Sequence, residues 1–299
     1  MEIKNLETEA RNPATTHIDT MSTLDMVKTI NAEDQKVALA VAGESDQIAK
    51  AIDQASTRYS AGGRLIYIGA GTSGRLGVLD AAELVPTYGI KPERAIGLMA
   101  GGKKAMFAAV EGAEDSASLG EADLKNLKLT ANDIVIGLAA SGRTPYVIGG
   151  LKYAAKVQAL TIAVACVPNS VIGQIAEIAI NAVVGPEVIT GSTRMKAGTA
   201  QKMILNMIST GVMIRQGKVY QNVMVDVQPT NDKLVDRACR IISETAGIPT
   251  AKALSFLKKA DNDVALAIVM AKAGKSKHEA AQLLTEHHGI VSDVLNSLN

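Results

Sequence analysis

The chain has 299 residues, 47% of them hydrophobic, which is enough apolar material for one large domain and a smaller one. Its formal net charge is +1, from 31 basic and 30 acidic residues, so no overall charge draws it to nucleic acid or anionic lipid. It contains no Trp, two Phe and six Tyr, which argues against a stacking platform for single-stranded nucleic acid.

The sequence predicts a cytoplasmic protein. Its first residues, MEIKNLETEARN, are polar and lack the apolar core of a signal peptide. The most apolar stretch, residues 160–184, is interrupted by polar residues such as Asn169 and Glu177, which leaves no span of membrane length. Cys166 lies in this stretch and is typical of a reduced core thiol. We therefore expect neither a membrane nor a nucleic acid as partner.

Residues 1–60 are predicted to form an irregular arm around Pro13, lying over another part of the molecule, and a helix at about 45–60. Five apolar runs then predict buried strands, at 64–69, 94–99, 133–138, 160–165 and 178–184. Helical patterns alternate with them, at about 74–88, 103–127, 144–157 and 170–176. This alternation predicts an α/β fold with a doubly wound, five-stranded parallel sheet. Such sheets bind ligands at the carboxyl ends of their strands, near a topological switch point.

The rest of the chain is predicted to be helical. A long helix follows from Thr193, and short helices punctuated by Gly, Pro and Asn begin at about residue 230. We therefore predict an N-terminal arm and helix at 1–53, an α/β domain at 54–217 and a small all-helical module at 218–299.

A glycine-rich turn, GAGTSGR at Gly69–Arg75, follows the first predicted strand and precedes a helical pattern. Such a turn presents backbone N–H groups at the positive end of a helix, which suits a phosphate. Its glycines spell the dinucleotide fingerprint GxGxxG, but that fingerprint needs an acidic residue at the end of the second strand. The second strand ends LMAGG, and the turn lacks the Gly-Lys-Ser/Thr of a P-loop. Both nucleotide interpretations are therefore disfavoured.

A second hydroxyl-rich loop, ASGRTPYV, follows the third predicted strand. Both loops end strands of one sheet and both open helices, so together they predict a phosphate cradle that needs no metal. The candidate ligands are Gly71, Thr72, Ser73, Ser141, Arg143 and Thr144. The alternative is that Ser73 and Thr144 only cap their helices.

This pair of loops resembles the SIS (sugar isomerase) domain, a fold that binds phosphorylated sugars. Five runs in order also resemble the N-acetylmuramic acid 6-phosphate etherase family: TEARN, IYIGAGTSGRLGVLDAAELVPTYG, EGAEDS, ASGRTPYV and GSTRMKAGTAQK. The C-terminal helical module is similar to that family's as well. The resemblance implies a lyase that splits the D-lactyl ether of N-acetylmuramic acid 6-phosphate into N-acetylglucosamine 6-phosphate and D-lactate, in cell-wall sugar recycling.

The implied route is elimination followed by addition of water. The sugar ring opens, a base removes the proton on carbon 2, lactate leaves carbon 3, and water adds to the double bond. The route needs proton transfers and neither a metal nor another cofactor. The resemblance places the catalytic glutamates at Glu83, as proton donor, and at Glu114. From the residues alone, a solvated helix charge is the favoured interpretation of each.

Two expectations concern the surroundings of Glu83. A proton donor near neutral pH calls for a carboxyl that is partly buried. Glu83 also follows Ser73 by ten residues, about 15 Å along an unbroken helix, which exceeds the span of a hexose 6-phosphate from phosphorus to carbon 2. Either the helix is broken near Gly77 or the site lies at a homodimer interface, which we favour.

The run GSTRMKAGTAQK supplies candidates for the second anion of the substrate, the lactyl carboxylate. Arg194 and Lys196, two cations of this run, are the candidates to meet that carboxylate. The alternative is simple helix initiation, with Ser192 or Thr193 as the cap.

Three other functions stay open. A sugar-phosphate isomerase shares the removal of the carbon 2 proton but releases no D-lactate. A non-catalytic sugar-phosphate sensor, similar to glucokinase regulatory protein, belongs to a longer class with two sugar-phosphate-binding domains. A transcription regulator of the SIS type needs a basic helix-turn-helix, which residues 1–60 lack.

Overall fold

The computed structural model describes residues 7–227 and 231–298, which divide into two compact units. The first unit contains the chain up to Ala82 together with Pro92–Ser209. The second contains Glu83–Lys91 and the chain from Thr210 onward. The three-part division at residues 53 and 217 stays a prediction about domains.

A five-stranded sheet forms the centre of the first unit. Its strands are β1 (Leu65–Gly69), β2 (Ala95–Met99), β3 (Ile134–Leu138), β4 (Leu160–Ala165) and β5 (Ile178–Asn181). They pair in the order β2-β1-β3-β4-β5, and every pairing is parallel. Every residue of β1, β3 and β4 is buried, which explains why these strands are continuous apolar runs in the sequence. The predicted α/β class and parallel sheet are confirmed.

Helices cover the sheet and connect its strands. They are α1 (Thr23–Ala42), α2 (Ser45–Ser60), α3 (Gly71–Tyr88), α4 (Gly102–Ala105), α5 (Ala117–Asn126), α6 (Pro145–Lys156), α7 (Val171–Ile175) and α8 (Lys196–Arg215). On one side α5 and α6 approach closely, since a Cβ on Gly120 would lie 1.9 Å from the carbonyl oxygen of Tyr146.

The single helix predicted at 103–127 is wrong. The structure has the short α4, an irregular segment at 106–116, and then α5. Gly112 within the segment has a φ of +72°, which a helix does not accommodate, and the Ser116 hydroxyl caps α5 by accepting from the Leu119 N–H. This break matters for the site because the irregular segment carries Glu114.

The N-terminal arm lies over the segment that follows β5, a partner that the sequence did not indicate. The Asn12 amide donates to the carbonyl oxygen of Pro186 at 3.2 Å. The Thr15 hydroxyl donates to that of Val188 at 2.8 Å. These hydrogen bonds fix the arm to the chain just before α8.

The C-terminal part of the second unit is a helical module, as predicted, preceded by a short hairpin of β6 (Val219–Tyr220) and β7 (Val223–Met224). Its helices are α9 (Asp232–Ala246), α10 (Thr250–Lys259), α11 (Val264–Ala273), α12 (Lys277–Glu286) and α13 (Val291–Ser297). They surround α11, whose first seven residues are all buried. Among the described residues, no helix has the length and apolar character needed to cross a membrane.

Candidate active site

The glycine turn is a close junction between β1 and α3. A Cβ on Gly74 would lie 2.7 Å from the carbonyl oxygen of Gly69, so the strand and the helix meet backbone to backbone. Gly71 has a φ of +53° and opens α3, three residues earlier than predicted. Thr72 and Ser73 therefore lie in the first turn, where backbone N–H groups have no partner within the helix.

The second loop follows β3 and opens α6. Gly142 has a φ of +69°, and a Cβ there would lie 2.4 Å from the Cβ of Ser170, which accounts for the glycine. Ser141, Arg143 and Thr144 are half-buried. Thr144 occupies the N-cap position of α6, but its side chain makes no capping hydrogen bond. Capping is therefore not the role of this hydroxyl.

Sheet topology brings the two loops side by side. Gly69, the last residue of β1, is the register partner of Leu138, the last residue of β3. The chain leaves β1 towards β2 on one side and later returns to place β3 on the other, so β1 and β3 flank the switch point. Parallel strands end at one edge, and both loops therefore open on the same crevice.

Glu114 lies in a cleft beside the glycine turn. The cleft has a volume of about 190 Å³, and its lining includes Gly71, Arg75, Glu111 and Glu114. The Arg75 guanidinium donates to the carbonyl oxygens at the end of α4, and the Tyr146 N–H donates to the carbonyl oxygen of Glu114 at 3.0 Å. The irregular segment is thus tied to the starts of both α3 and α6, and Glu114 is exposed to solvent.

Glu83 is on the outer face of α3. Helical geometry turns each residue by about 100°, so Leu84 and Ala81 face inward while Glu83 points out. Glu83 is exposed in the single chain, so the expectation that it is partly buried is wrong there. The alternative of a break near Gly77 is not observed, since α3 runs from Gly71 to Tyr88.

The two candidate cations of GSTRMKAGTAQK have different surroundings. Arg194 is exposed, whereas Lys196 is 1% exposed, with its Nζ 2.6 Å from Oε2 of Glu33. The buried Glu33 carboxylate requires a cation, and Lys196 supplies it. The carboxylate of Glu187 accepts from the N–H groups of Lys196 and Ala197 and so caps α8. Lys196 therefore pairs inside the chain, contrary to the expectation that it meets a lactyl carboxylate.

A buried hydrogen bond links Ser73 to α8. The Ser73 hydroxyl donates to Oε1 of Gln201 at 2.8 Å, and both residues are buried. Sequence reasoning missed Gln201, because a polar residue on an apolar helix does not reveal which neighbour it faces.

Comparisons with known proteins identify the family. The model of the glucokinase regulatory protein N-terminal SIS domain matches residues 47–155, and that of the SIS domain matches residues 115–210. N-acetylmuramic acid 6-phosphate etherase of Lactobacillus gasseri is 72% identical over 99% of this chain and 100% of its own. The protein of the same name from Lactobacillus acidophilus is 68% identical over the same shares of the two chains.

The chain belongs to the N-acetylmuramic acid 6-phosphate etherase family. N-acetylmuramic acid 6-phosphate etherase 1 of Enterococcus faecalis, which is 59% identical over 99% of this chain and 98% of its own, extends the relation beyond one genus. The SIS domain predicted from the pair of loops and the family predicted from the five runs are confirmed. The etherase alignment includes the helical module, since it spans nearly the whole chain.

Within this etherase, three predicted groups meet at one edge of the sheet: the first turn of α3, the loop before α6 and Glu114. The structure adds two residues that the sequence did not single out as functional, Arg75 and Gln201. Arg75 stands in the recognised glycine run, so its position was available, but its hydrogen bonds to the end of α4 depend on the broken helix.

Proposed function

We propose that this chain cleaves the D-lactyl ether of N-acetylmuramic acid 6-phosphate, giving N-acetylglucosamine 6-phosphate and D-lactate. The observation that carries the proposal is the 72% identity, over both full lengths, to a protein named for this activity. The open crevice at the switch point supports it, because its two loops offer hydroxyl and N–H donors to an anion.

The phosphate is proposed to bind across the two loops. Thr72 and Ser73 contribute from the first turn of α3, and Gly71 supplies the backbone that lets the anion approach. Ser141, Arg143 and Thr144 contribute from the facing loop, where the guanidinium adds a positive charge. This arrangement leaves the sugar free to extend over the cleft that Glu114 lines.

The chemistry is proposed to depend on two carboxyl groups. One removes the proton on carbon 2, which the aldehyde at carbon 1 acidifies, and the other protonates the ether oxygen as lactate leaves carbon 3. Water then adds at carbon 3 of the double bond. The family resemblance assigns the proton donor to Glu83, which makes Glu114, beside the phosphate-binding turn, the candidate base.

The site is proposed to be shared between two copies of the chain. Glu83 lies ten residues beyond Ser73 on an unbroken helix, about 15 Å along its axis, too far for one sugar phosphate to contact both. Glu83 is also exposed in the single chain. In such a dimer, Glu83 of one copy reaches a sugar held by the loops of the second copy. Contact with the second copy also supplies the burial that a proton donor requires.

Arg194 is the proposed partner of the lactyl carboxylate. It is exposed, whereas Lys196, the other candidate, is paired with Glu33. A cytoplasmic location completes the proposal and agrees with two free, buried cysteines.

Release of D-lactate from N-acetylmuramic acid 6-phosphate tests the proposal. The unmodified chain is expected to release it, and Glu83→Gln and Glu114→Gln are each expected to lower the rate by at least about 100-fold. Asp115→Asn is the matched control, because Asp115 is exposed next to Glu114 and is not part of the cleft lining. Interconversion of sugar phosphates without D-lactate would favour an isomerase, and binding without turnover would favour a sensor.

A further inference from the structure

We propose that Gln201 is a positioning residue for Ser73: its side-chain amide decides whether the Ser73 hydroxyl proton is available to a phosphate. The inference rests on the proposed function only in taking a sugar phosphate as the ligand. It assigns a role in ligand binding to α8, a helix outside both loops.

The observation is a buried side-chain amide of which only the oxygen has a hydrogen-bond partner. Gln201 is 0% exposed, and its Oε1 accepts the Ser73 hydroxyl at 2.8 Å. Across the described residues, its buried Nε2 has no hydrogen-bond partner. An unpaired buried N–H donor is unfavourable, and such groups in native proteins usually have a reason.

The reason follows from the single proton of a hydroxyl. While the Ser73 proton points at the oxygen of Gln201, Ser73 has no proton to donate to a phosphate oxygen, which only accepts. If the terminal amide of Gln201 rotates by 180°, its nitrogen donates to Oγ of Ser73 instead. The hydroxyl proton is then free to point at a phosphate, and the buried nitrogen gains a partner while the amide oxygen gives up the serine proton.

This rotation needs no repacking, because the oxygen and nitrogen ends of an amide have nearly the same size. A phosphate at the first turn of α3 favours the rotated state, since it gains a donor there. The result is a chain of hydrogen bonds from Gln201 through Ser73 to the anion, in which each bond strengthens the next. Gln201 thus acts through Ser73 and does not itself touch the substrate.

A double-mutant cycle on ligand binding tests the inference. Gln201→Met keeps the side-chain length and removes both hydrogen-bonding ends, and Ser73→Ala removes the hydroxyl. Affinity for N-acetylglucosamine 6-phosphate is measured by calorimetry for the unmodified chain, both single variants and the double variant. Ser73→Ala is expected to weaken binding by about 10- to 100-fold, the effect of one hydrogen bond to a charged group.

The expected result is strong coupling. Gln201→Met weakens binding by about 3- to 10-fold in the unmodified background and has no further effect once Ser73 is Ala. Gln201→Glu, whose carboxylate only accepts, is expected to weaken binding at least as much as Ser73→Ala, because it holds the serine proton permanently.

Additive losses in the cycle, or a Gln201→Met variant with unchanged affinity, would overturn the inference. The Gln201→Met cycle decides the question even if Gln201→Glu does not fold. Binding is measured without turnover, so the two proposals fail separately. A chain with coupled residues and no D-lactate release contradicts the proposed function alone, and a lactate-releasing chain with additive losses contradicts this inference alone.

Discussion

Removal of the Lys196 ammonium, by Lys196→Met, is expected to destabilise the fold rather than to impair recognition of lactate. Lys196 donates to the Glu33 carboxylate from a fully buried position. Burial by itself raises the pKa of Glu33, but hydrogen bonds from Lys196, Lys36 and Asn12 outweigh it and lower the pKa from 4.5 to about 2. The folded state therefore holds the ionised form much more strongly than the unfolded chain does.

The magnitude follows from that pKa. The fall in the Glu33 pKa from 4.5 to about 2, at about 1.4 kcal/mol per pKa unit, amounts to about 3 to 4 kcal/mol. Because the folded pKa lies below the unfolded value, this contribution is fully present above about pH 4.5 and is lost as the pH falls through 2. Lys196→Met leaves a buried, poorly paired carboxylate, so we expect a loss of about 3 kcal/mol or more at pH 7.

The assay is denaturant unfolding followed by circular dichroism at pH 7 and at several pH values below 5. Lys36→Met is the matched control, since the Lys36 side chain is 59% exposed and its ion pair with Glu33 is expected to contribute below about 1 kcal/mol. Adding Glu33→Gln to Lys196→Met should restore part of the stability. A Lys196→Met variant with normal stability and a raised KM for the muramic substrate would contradict a structural role for Lys196.

Three further predictions concern the site. Arg194→Ala should weaken N-acetylmuramic acid 6-phosphate binding by about 10-fold and N-acetylglucosamine 6-phosphate binding by much less; equal losses would contradict a carboxylate role. Glu83→Gln subunits mixed with Ser73→Asp subunits should recover about a quarter of normal activity through hybrid dimers, and no recovery with mixing confirmed by mass spectrometry would argue against a shared site. Gly74→Ala, whose Cβ would lie 2.7 Å from the Gly69 oxygen, should lower both thermal stability and sugar-phosphate affinity. Normal values for both would contradict the requirement for glycine at this position.

The strands were predictable because burial on both faces of a parallel sheet imposes continuous apolar runs. The exception, at 103–127, shows the limit of periodicity. The helical pattern continues through the segment, but Gly112 at positive φ and the cap at Ser116 divide it. Local backbone conformation, rather than hydrophobic spacing, decided the outcome there.

The site, too, has parts that the sequence could predict and parts that it could not. Ser73 and Thr144 could be placed at the sheet edge because both loops follow predicted strands, and parallel strands end at the same edge. The pairing of Lys196 with Glu33 and the contact of Gln201 with Ser73 join residues 163 and 128 positions apart in sequence. No local pattern specifies such partners, so a cation that looks available in the sequence is buried in the fold.

Incorporation of solvent oxygen shows directly whether the bond between carbon 3 and the ether oxygen is cleaved by elimination and addition of water. The reaction is run in H₂¹⁸O, and both products are examined by mass spectrometry. Elimination and hydration give unlabelled D-lactate, which keeps the ether oxygen, and N-acetylglucosamine 6-phosphate with ¹⁸O at carbon 3, which fragmentation distinguishes from label exchanged at the carbon 1 aldehyde. Label in the D-lactate, or no D-lactate at all, would contradict it.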